Sequence, residues 1–317
     1  MNGKEKYIEM SNGSGPVSKG KIPMLDYEQF REEVVAMLGE ERYHCLTYFC
    51  FPVLSGLKFI CCIADDMAGT VRLFSHEKQN DGAPLRSLTE SAQAMHIFER
   101  EINERYGVQF EGHPWLKPVR YPQDRIDRLS RMDDYPFYEI EGDELHQVGV
   151  GPIHAGIIEP GHFRFICNGE KVLHLEIQLG YQHRGIESLL TKADGGLRRA
   201  ILAESIAGDT AVGHGLAHAQ LIESLAGFEP PSSLQAERCI ALEMERIAMH
   251  IGDTAALCGD VAYQLGQVAC EALRTLVINT TQFWCGNRFG KGLIRPGGSN
   301  FPLTDEIAGE ILKVLDE

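Results

Sequence analysis

The sequence lacks the features of secreted, disulfide-bonded and membrane-spanning chains. Its nine cysteines are irregularly spaced, without a C-x-x-C pair, which favours reduced thiols in a cytoplasm over a disulfide framework. The N-terminus has no apolar core of a secretory signal. The most apolar window, residues 46–64, is interrupted by Pro52, Gly56 and Lys58. A membrane-spanning helix needs about 20 mostly apolar residues, so this window is not predicted to be one.

Basic residues are scarce relative to acidic ones. The 317 residues include 30 Lys and Arg against 45 Asp and Glu, a formal net charge of −15. This balance disfavours a nucleic-acid surface and attraction to anionic lipid, and it favours a basic partner. The length predicts about two domains.

The N-terminal third predicts a small α+β domain that follows a tail. Residues 1–24 are rich in Gly, Ser and Lys and have no usable apolar pattern, so we expect a disordered tail there. A domain is expected over residues 25–120. Its first helix begins after Asp26, a favourable N-cap, and ends at Gly39.

Two strand runs and a second helix complete this predicted domain. Apolar runs over 44–51 and 57–64 indicate a hairpin. Ser87 and Glu90 have the spacing of a capping box, which predicts a helix from there to Gly107. Residues 121–146 contain prolines and many carboxylates without periodicity, and we expect an acidic, solvated linker.

The densest signal in the chain lies over residues 173–187. Leu173, Leu175 and Ile177 alternate with polar residues, which predicts a strand with the leucines and isoleucine on its buried face. A glycine then permits a turn into a helix. If that helix has begun by His183, this histidine and Glu187 share a helix face. Charged groups clustered at such a boundary indicate a functional site.

This stretch carries a family resemblance. The pattern L-G-Y-x-H-R-G-x-E over 179–187 resembles the large subunits of energy-converting nickel-iron hydrogenases of the formate hydrogenlyase type, and the related quinone-site subunit of respiratory complex I. Residues 151–164 resemble the opening strand and turn of the hydrogenase branch. Residues 98–116 resemble the end of the complex I subunit that docks against the quinone-site subunit. The segment 294–298, Ile-Arg-Pro-Gly-Gly, is also a family motif.

The resemblance implies an α+β fold in two parts. A complex I docking-subunit-like α+β domain would be fused to a mainly α-helical hydrogenase-large-subunit-like domain over residues 147–317, with a short antiparallel sheet at its start. Large subunits of the family continue well past this length. The sequence would therefore be a short homologue or part of a longer subunit.

The nickel-iron site of the family is predicted to be absent. In the hydrogenase branch a segment E-R-x-C-G-x-C supplies two thiolates, because soft sulfur ligands suit nickel and iron. The matching residues here are 204–210, where Ala207 and Thr210 replace the cysteines. We therefore expect no metal and no cofactor in this chain, and an iron-sulfur cluster in a partner subunit.

The resemblance to complex I transfers only in part. His154 matches a quinone-proximal histidine and Asp260 an aspartate expected to pair with it. The headgroup tyrosine of the family falls at Gly208, a neighbouring arginine at Ser205, and a cluster-proximal histidine at Gly290. Quinone chemistry of the complex I type is therefore disfavoured by these residues.

Two carboxylates are further candidates. Glu159 corresponds to the hydrogenase glutamate that passes protons from the metal, and Glu187 to an acidic position that holds magnesium in related enzymes. Burial raises the pKa of a carboxyl toward neutrality, which suits either role. The alternative is that both form structural ion pairs, with Arg164 or Arg184.

The predicted site residues fall into two groups, one catalytic and one cofactor-binding. The catalytic candidates are His154, Glu159 and Asp260, and the cofactor-binding candidates are His183, Arg184 and Glu187. A metal pair at His214 and His218, four residues apart, is disfavoured because the glutamate of an H-E-x-x-H motif is missing.

The sequence is compatible with two functions. The first is a subunit of a membrane-associated hydrogenase-like or NADH dehydrogenase-like complex, peripheral on the inner face of the cytoplasmic membrane. It would transfer electrons and protons beside an iron-sulfur small subunit and membrane-arm subunits, with quinone as a candidate ligand and no nucleic acid. The second is a non-catalytic assembly or regulatory protein that binds the iron-sulfur subunit.

Overall fold

The computed structural model describes residues 5–11, 14–156 and 158–317. The chain forms two compact units, Met1–Arg184 and Gly185–Glu317, and each is described by itself. Both strands and helices are present, which confirms the α+β prediction.

The first unit contains a four-stranded antiparallel sheet and two helices. The elements in chain order are β1 (Ile8–Ser11), α1 (Tyr27–Leu38), β2 (Tyr43–Val53), β3 (Gly56–Asp65), β4 (Thr70–Gln79), β5 (Leu85–Arg86), α2 (His96–Tyr106) and β6 (Phe110–Glu111). The sheet has the order β1-β4-β3-β2. Phe30 and Val34 on α1 are fully buried with Phe59 and Phe74 of the sheet, because the helix presents its apolar stripe to the sheet face.

Helix boundaries in this unit agree with their local signals at three of four ends. The side chain of Asp26 accepts a hydrogen bond from the Gln29 N–H, as an N-cap does. Gly39 and Gly107 end α1 and α2. The predicted start at Ser87 is wrong. Its hydroxyl instead donates to the buried carboxylate of Glu99, and α2 begins at His96.

The predicted N-terminal tail contains a strand. Residues 1–4 and 12–13 lie outside the described residues, but β1 pairs antiparallel with β4, Ile8 opposite Leu73 and Met10 opposite Val71. Backbone hydrogen bonds to an existing sheet edge stabilise a short segment whose own composition has little preference. The prediction of disorder is therefore wrong for residues 8–11.

A second, three-stranded sheet is the last part of the first unit along the chain. Its strands are β7 (Leu145–Val150), β8 (His162–Asn168) and β9 (Lys171–Gln178), antiparallel in that order. The units divide between 184 and 185, whereas the sequence places a domain boundary at 146–147. Residues within 121–146 hydrogen-bond to the rest of this unit, for example Gln178 to the Met132 carbonyl. The family assignment of each predicted domain stays a prediction.

The apolar face of β9 is turned outward. Leu173, Leu175 and Ile177 are 44%, 43% and 38% exposed, whereas Glu176 and Gln178 are 1% and 2% exposed. The alternation is present as predicted, but the assignment of its faces is reversed. The polar face is covered because residues 117–138 bond to it, as the Lys117–Glu176 and Met132–Gln178 contacts show.

The second unit is built from helices. They are α3 (Ile186–Lys192), α4 (Gly196–Ala203), α5 (Ala211–Ala226), α6 (Ser232–Asp260), α7 (Gln264–Cys285) and α8 (Asp305–Leu315), with the short strands β10 (Ile294–Arg295) and β11 (Gly298–Ser299) before α8. Ala219, Met244 and Ile278 from three different helices share its core. Among the described residues, no helix is both long and apolar enough to cross a membrane.

Candidate functional site

The turn between β7 and β8 carries His154. The half-buried ring places Nε2 2.8 Å from the Gly161 carbonyl oxygen and lies edge-on to Phe163 at 6.1 Å between centroids. Gly151 has φ of +87°, and a Cβ there would lie 2.0 Å from the Gly161 oxygen and 2.7 Å from His154 Nε2. Glycine is therefore required for this turn to hold the imidazole. Ile157 of the same turn lies outside the described residues.

Glu159 lies exposed in this turn. The suggested ion pair with Arg164 is not found in the described part of the chain. The Arg164 guanidinium instead donates to Gln147 Oε1 at 2.7 Å and stacks over Phe137 at 4.3 Å. The role of Glu159 in proton transfer stays a prediction.

The turn after β9 has the predicted order of strand, turn and helix. The His183 N–H donates to the Gly180 carbonyl at 3.1 Å, and α3 begins at Ile186 with Gly185 at its N-cap. His183 precedes the helix, so the condition under which it would share a helix face with Glu187 is not met. His183 and Arg184 end the first unit, whereas Glu187 belongs to the second. Their role in cofactor binding stays a prediction.

A loop before α5 carries Ala207 and Thr210, the two positions where the resemblance places cysteines. This loop separates α4, which ends at Ala203, from α5, which begins at Ala211. His214 Nδ1 is 3.0 Å from Thr210 Oγ1 and donates to the Thr210 carbonyl at 2.9 Å. Within the described ranges, no group of three or more potential His, Cys, Asp or Glu ligands is assembled.

A carboxylate from α6 caps the start of α5. Glu245 accepts the backbone N–H groups of Val212 and Gly213 at 2.7 and 2.9 Å. The Thr210 side chain does not cap the helix, so Glu245 satisfies N–H groups that would otherwise lack partners. Burial raises the pKa of Glu245, and the two N–H donors oppose that rise.

A small cavity lies beside this cap. Its volume of about 10 Å³ is near the lower limit for one water molecule. Asp209, Val212, Met244, Ile278 and Arg288 contribute to its lining. The space is far too small for a two-metal centre or a quinone headgroup.

Glu204 is held by the family motif near residue 295. Its Oε1 accepts from the Arg295 guanidinium at 2.5 Å and from the Gly292 N–H at 3.0 Å. The carboxylate is buried, so this pairing offsets its desolvation. The glutamate of the hydrogenase pattern therefore has a structural partner inside the second unit.

A second ion pair lies close to the same motif. Arg238 binds the Glu223 carboxylate through both terminal nitrogens, at 2.6 and 3.0 Å, and the two side chains are 3% and 4% exposed. Glu223 also accepts the Gly297 N–H at 2.7 Å. The hydrogen bonds from Arg238 lower the pKa of Glu223. This pair fixes the turn at Gly297, which has φ of +79°, against α5 and α6.

Gly290, which the resemblance matches to a cluster-proximal histidine, has no space for a larger side chain. Gly290 has φ of +70°, and a Cβ there would lie 2.4 Å from Val212 Cγ2. A histidine would require the start of α5 to move. Asp260 is the last residue of α6 and is exposed. It belongs to a different unit from His154, so the predicted pairing of these two residues stays a prediction.

Sequence reasoning missed the buried residues Glu223 and Arg238 and the half-buried Glu245. One signal was present for Glu245, which directly follows Met244 and precedes Ala248 by three positions, both buried. A carboxylate at the edge of an apolar helix stripe indicates a buried partner. The partner itself, the start of α5, is not visible in the local pattern.

Comparisons with known proteins connect both units to respiratory complexes. Residues 42–137 match the family model described as the respiratory-chain NADH dehydrogenase 30 Kd subunit. The chain is 27% identical to hydrogenase-4 component G of Escherichia coli over 254 residues, covering 75% of this chain and 46% of that protein. It is 29% identical to the carbon monoxide-induced hydrogenase of Rhodospirillum rubrum over 172 residues, covering 54% and 47%. One chain of the NADH-quinone oxidoreductase of Carboxydothermus hydrogenoformans is 32% identical over 177 residues, covering 53% and 47%.

A solved structure supports the fold alone. The membrane-bound sulfane sulfur reductase, an archaeal respiratory membrane complex, contains a chain that superposes with a TM-score of 0.52 at 19% identity, covering 56% of this chain and 48% of that one. The present chain spans about half the length of the curated relatives it matches. Its residues 42–137 are similar to the 30 Kd subunit of the respiratory-chain NADH dehydrogenase, and the relatives it matches are named as hydrogenase and NADH-quinone oxidoreductase proteins.

Proposed function

We propose that this chain is a subunit of a membrane-associated oxidoreductase complex of the hydrogenase or NADH-quinone oxidoreductase type. It takes part in electron and proton transfer without a nickel-iron centre of its own. The observation that carries this proposal is that the similarity extends over both units, through the 30 kDa-type match at 42–137 and the 254-residue similarity to hydrogenase-4 component G.

Three features support the absence of the metal centre. Ala207 and Thr210 supply no thiolate, and soft sulfur ligands are what nickel and iron bind in this family. The cavity beside α5 accepts about one water molecule. Gly290 has no space for a side chain against Val212.

The candidate residues take supporting roles in this proposal. His154 and Glu159 on the β7–β8 turn, together with Asp260, carry protons. His183, Arg184 and Glu187 position a ligand or cofactor held with a partner. The partners are an iron-sulfur small subunit and membrane-arm subunits, with the chain peripheral on the inner face of the cytoplasmic membrane.

Anaerobic purification through a tag on this chain tests the proposal. We expect membrane subunits to co-purify and nickel to be absent from this subunit after the complex is separated. Stoichiometric nickel bound to this chain would contradict the lost site. Recovery of the chain without any membrane subunit would contradict the complex itself.

The residue roles have their own test in the same preparation. His154→Ala with Glu159→Ala is expected to lower the electron-transfer rate of the complex without changing its subunit composition. His146→Ala, an exposed histidine on β7, is the matched control. An unchanged rate in the double variant would remove His154 and Glu159 from the proposal.

A second candidate function is an assembly or regulatory protein that binds the iron-sulfur subunit. The closed surroundings of Gly290 and the small cavity beside α5 favour it, because neither leaves space for a redox centre at those two places in the second unit. The two candidates differ in where the chain is found. A complex subunit is stoichiometric in the mature complex, whereas an assembly protein is enriched in incomplete complexes and absent from the mature one.

A further inference from the structure

One face of the sheet of β7, β8 and β9 carries two complete rows of apolar side chains. Across the three strands, Val148 pairs with Phe165 and Leu175, and Val150 pairs with Phe163 and Ile177. Side chains directly opposite on adjacent strands lie on the same face of a sheet. These six residues therefore form one continuous surface, which we call the apolar face.

The apolar face is open to solvent at both edge strands. Val148, Val150, Leu175 and Ile177 are between 38% and 43% exposed. Arg164 and Glu176, which lie between the two apolar rows along their strands, point to the opposite side of the sheet, because successive side chains alternate. Contiguous apolar surface of this kind marks a binding surface on soluble proteins.

A strongly acidic segment leads into β7, an edge strand of the sheet that carries the apolar face. Glu139, Glu141, Asp143 and Glu144 lead into β7 and are all exposed. Between Arg131 and Arg164 the sequence has no lysine or arginine. Among the described residues, β7 is an edge strand of this sheet, so its outer backbone groups are also available for pairing.

The acidic residues at 139–144, which we call the acidic border, indicate which kind of partner the apolar face binds. A second copy of the chain carries the same carboxylates and a net charge of −15, so two such faces would repel each other. An anionic membrane surface is disfavoured for the same reason. A protein segment with apolar residues at alternate positions and lysine or arginine beside them satisfies both the face and its border.

We infer that the apolar face docks a basic, extended segment of another subunit of the complex. This inference rests on the proposed function, which places the chain in such a complex. Its apolar side chains would cover Val148, Val150, Leu175 and Ile177, and its basic residues would lie beside residues 139–144. Such pairing leaves no charge buried without a partner.

Site-specific photocrosslinking in the native complex tests the inference. Benzoylphenylalanine is placed at Val150 or Leu175 of the tagged full chain. The matched control is Leu54, which is fully exposed at the β2–β3 turn. We expect positions 150 and 175 to crosslink to one segment of one other subunit, rich in lysine or arginine, and position 54 not to crosslink to that segment.

Charge substitutions provide a second readout. Val148→Lys with Leu175→Lys is expected to weaken retention of that subunit at least about tenfold, because lysine would be buried at the interface. Glu141→Gln with Asp143→Asn is expected to weaken it less and to reduce the salt dependence of its release. Leu54→Lys is the control. The fluorescence of Trp115, which lies in the first unit, reports whether the variants remain folded.

The outcomes separate this inference from the proposed function. If the chain purifies with the complex but positions 150 and 175 crosslink only within their own chain, to a second copy, or to lipid, the docking surface is contradicted and the complex remains. A crosslinked segment that is acidic would also contradict it. If the chain is absent from any membrane complex, the proposed function fails and the docking surface fails with it.

Discussion

The Lys117 ammonium lies 2.6 Å from Oε1 of Glu176. Glu176 lies on β9, whose apolar side chains face solvent. Glu176 also accepts the Tyr138 N–H at 2.6 Å. Burial alone would raise the pKa of Glu176, but the hydrogen bonds from Lys117 and Tyr138 lower it below its ordinary value. The pair therefore explains why the polar face of β9 is the covered one.

Lys117→Met should destabilise the first unit. Removing the ammonium leaves a buried carboxylate without its cation, which costs about 3 kcal/mol. Urea unfolding followed by Trp115 fluorescence in a Trp284→Phe background measures this unit, because the chain has two tryptophans and they lie in different units.

The control for this prediction is Lys117→Met combined with Glu176→Gln. The neutral amide costs less to bury than an unpaired carboxylate, so the double variant should recover part of the lost stability. If the double variant is less stable than the single one, the ion pair is not what holds β9 in this orientation.

The Glu223–Arg238 pair should make the stability of the second unit depend on acid. Because the pKa of Glu223 is lowered in the folded state, the stabilisation is complete above the unfolded-state value of about 4.3 and is lost as the pH falls below it. Arg238→Met should cost about 3 kcal/mol at neutral pH, measured by Trp284 fluorescence in a Trp115→Phe background. Arg246→Met, which removes an exposed arginine from the same helix, should cost little.

His76 should make the first unit sensitive to acid. Burial lowers the pKa of His76 to about 3, while an unfolded histidine titrates near about 6.5. Stability is therefore complete above about pH 6.5 and falls as the pH decreases toward about 3, by about 5 kcal/mol at most. Tyr48→Phe with His76→Phe removes both the histidine and the hydroxyl bonded to it, and should flatten this dependence.

The single variant Tyr48→Phe is the control for the His76 prediction, and it should keep the wild-type slope. The pKa values of His96 and His113 are also lowered by burial, so some slope should remain in the double variant. An identical slope in wild type and double variant would show that His76 does not govern acid unfolding.

Glu245→Gln should remove a destabilisation of the second unit that increases with pH. The folded-state pKa of Glu245 is raised, so ionisation of this carboxyl disfavours the fold as the pH rises above its unfolded value. Relative to wild type, the variant should therefore gain stability as the pH rises from about 4.5 to about 7. The same difference at both pH values, measured by Trp284 fluorescence, would contradict this role.

Local signals predicted many elements correctly. The Asp26 cap and the glycines after α1 and α2 each act on the residues beside them. The signal at Ser87 failed because its hydroxyl donates to the buried Glu99 carboxylate, which lies within α2 itself, twelve residues further along the chain. A capping box read from sequence assumes that no such competitor is nearby.

The break between α4 and α5 is also decided by distant residues. Glu204, which follows α4, bonds to Arg295 and Gly292, which lie much later in the chain. Glu245 then stabilises a new helix start at Val212 and Gly213. These two long-range contacts separate α4 from α5 at the segment that contains Ala207 and Thr210.

The sequence by itself determined the alternation along β9, the strand-turn-helix order that follows it, and the absence of thiolates at Ala207 and Thr210. Each is a property of residue type and spacing. Only the tertiary structure decided which face of β9 is covered, because period-two alternation distinguishes two faces without saying what packs on either. Lys117 and Tyr138 donate hydrogen bonds to Glu176 and so cover the polar face. The apolar face is therefore the one exposed to solvent.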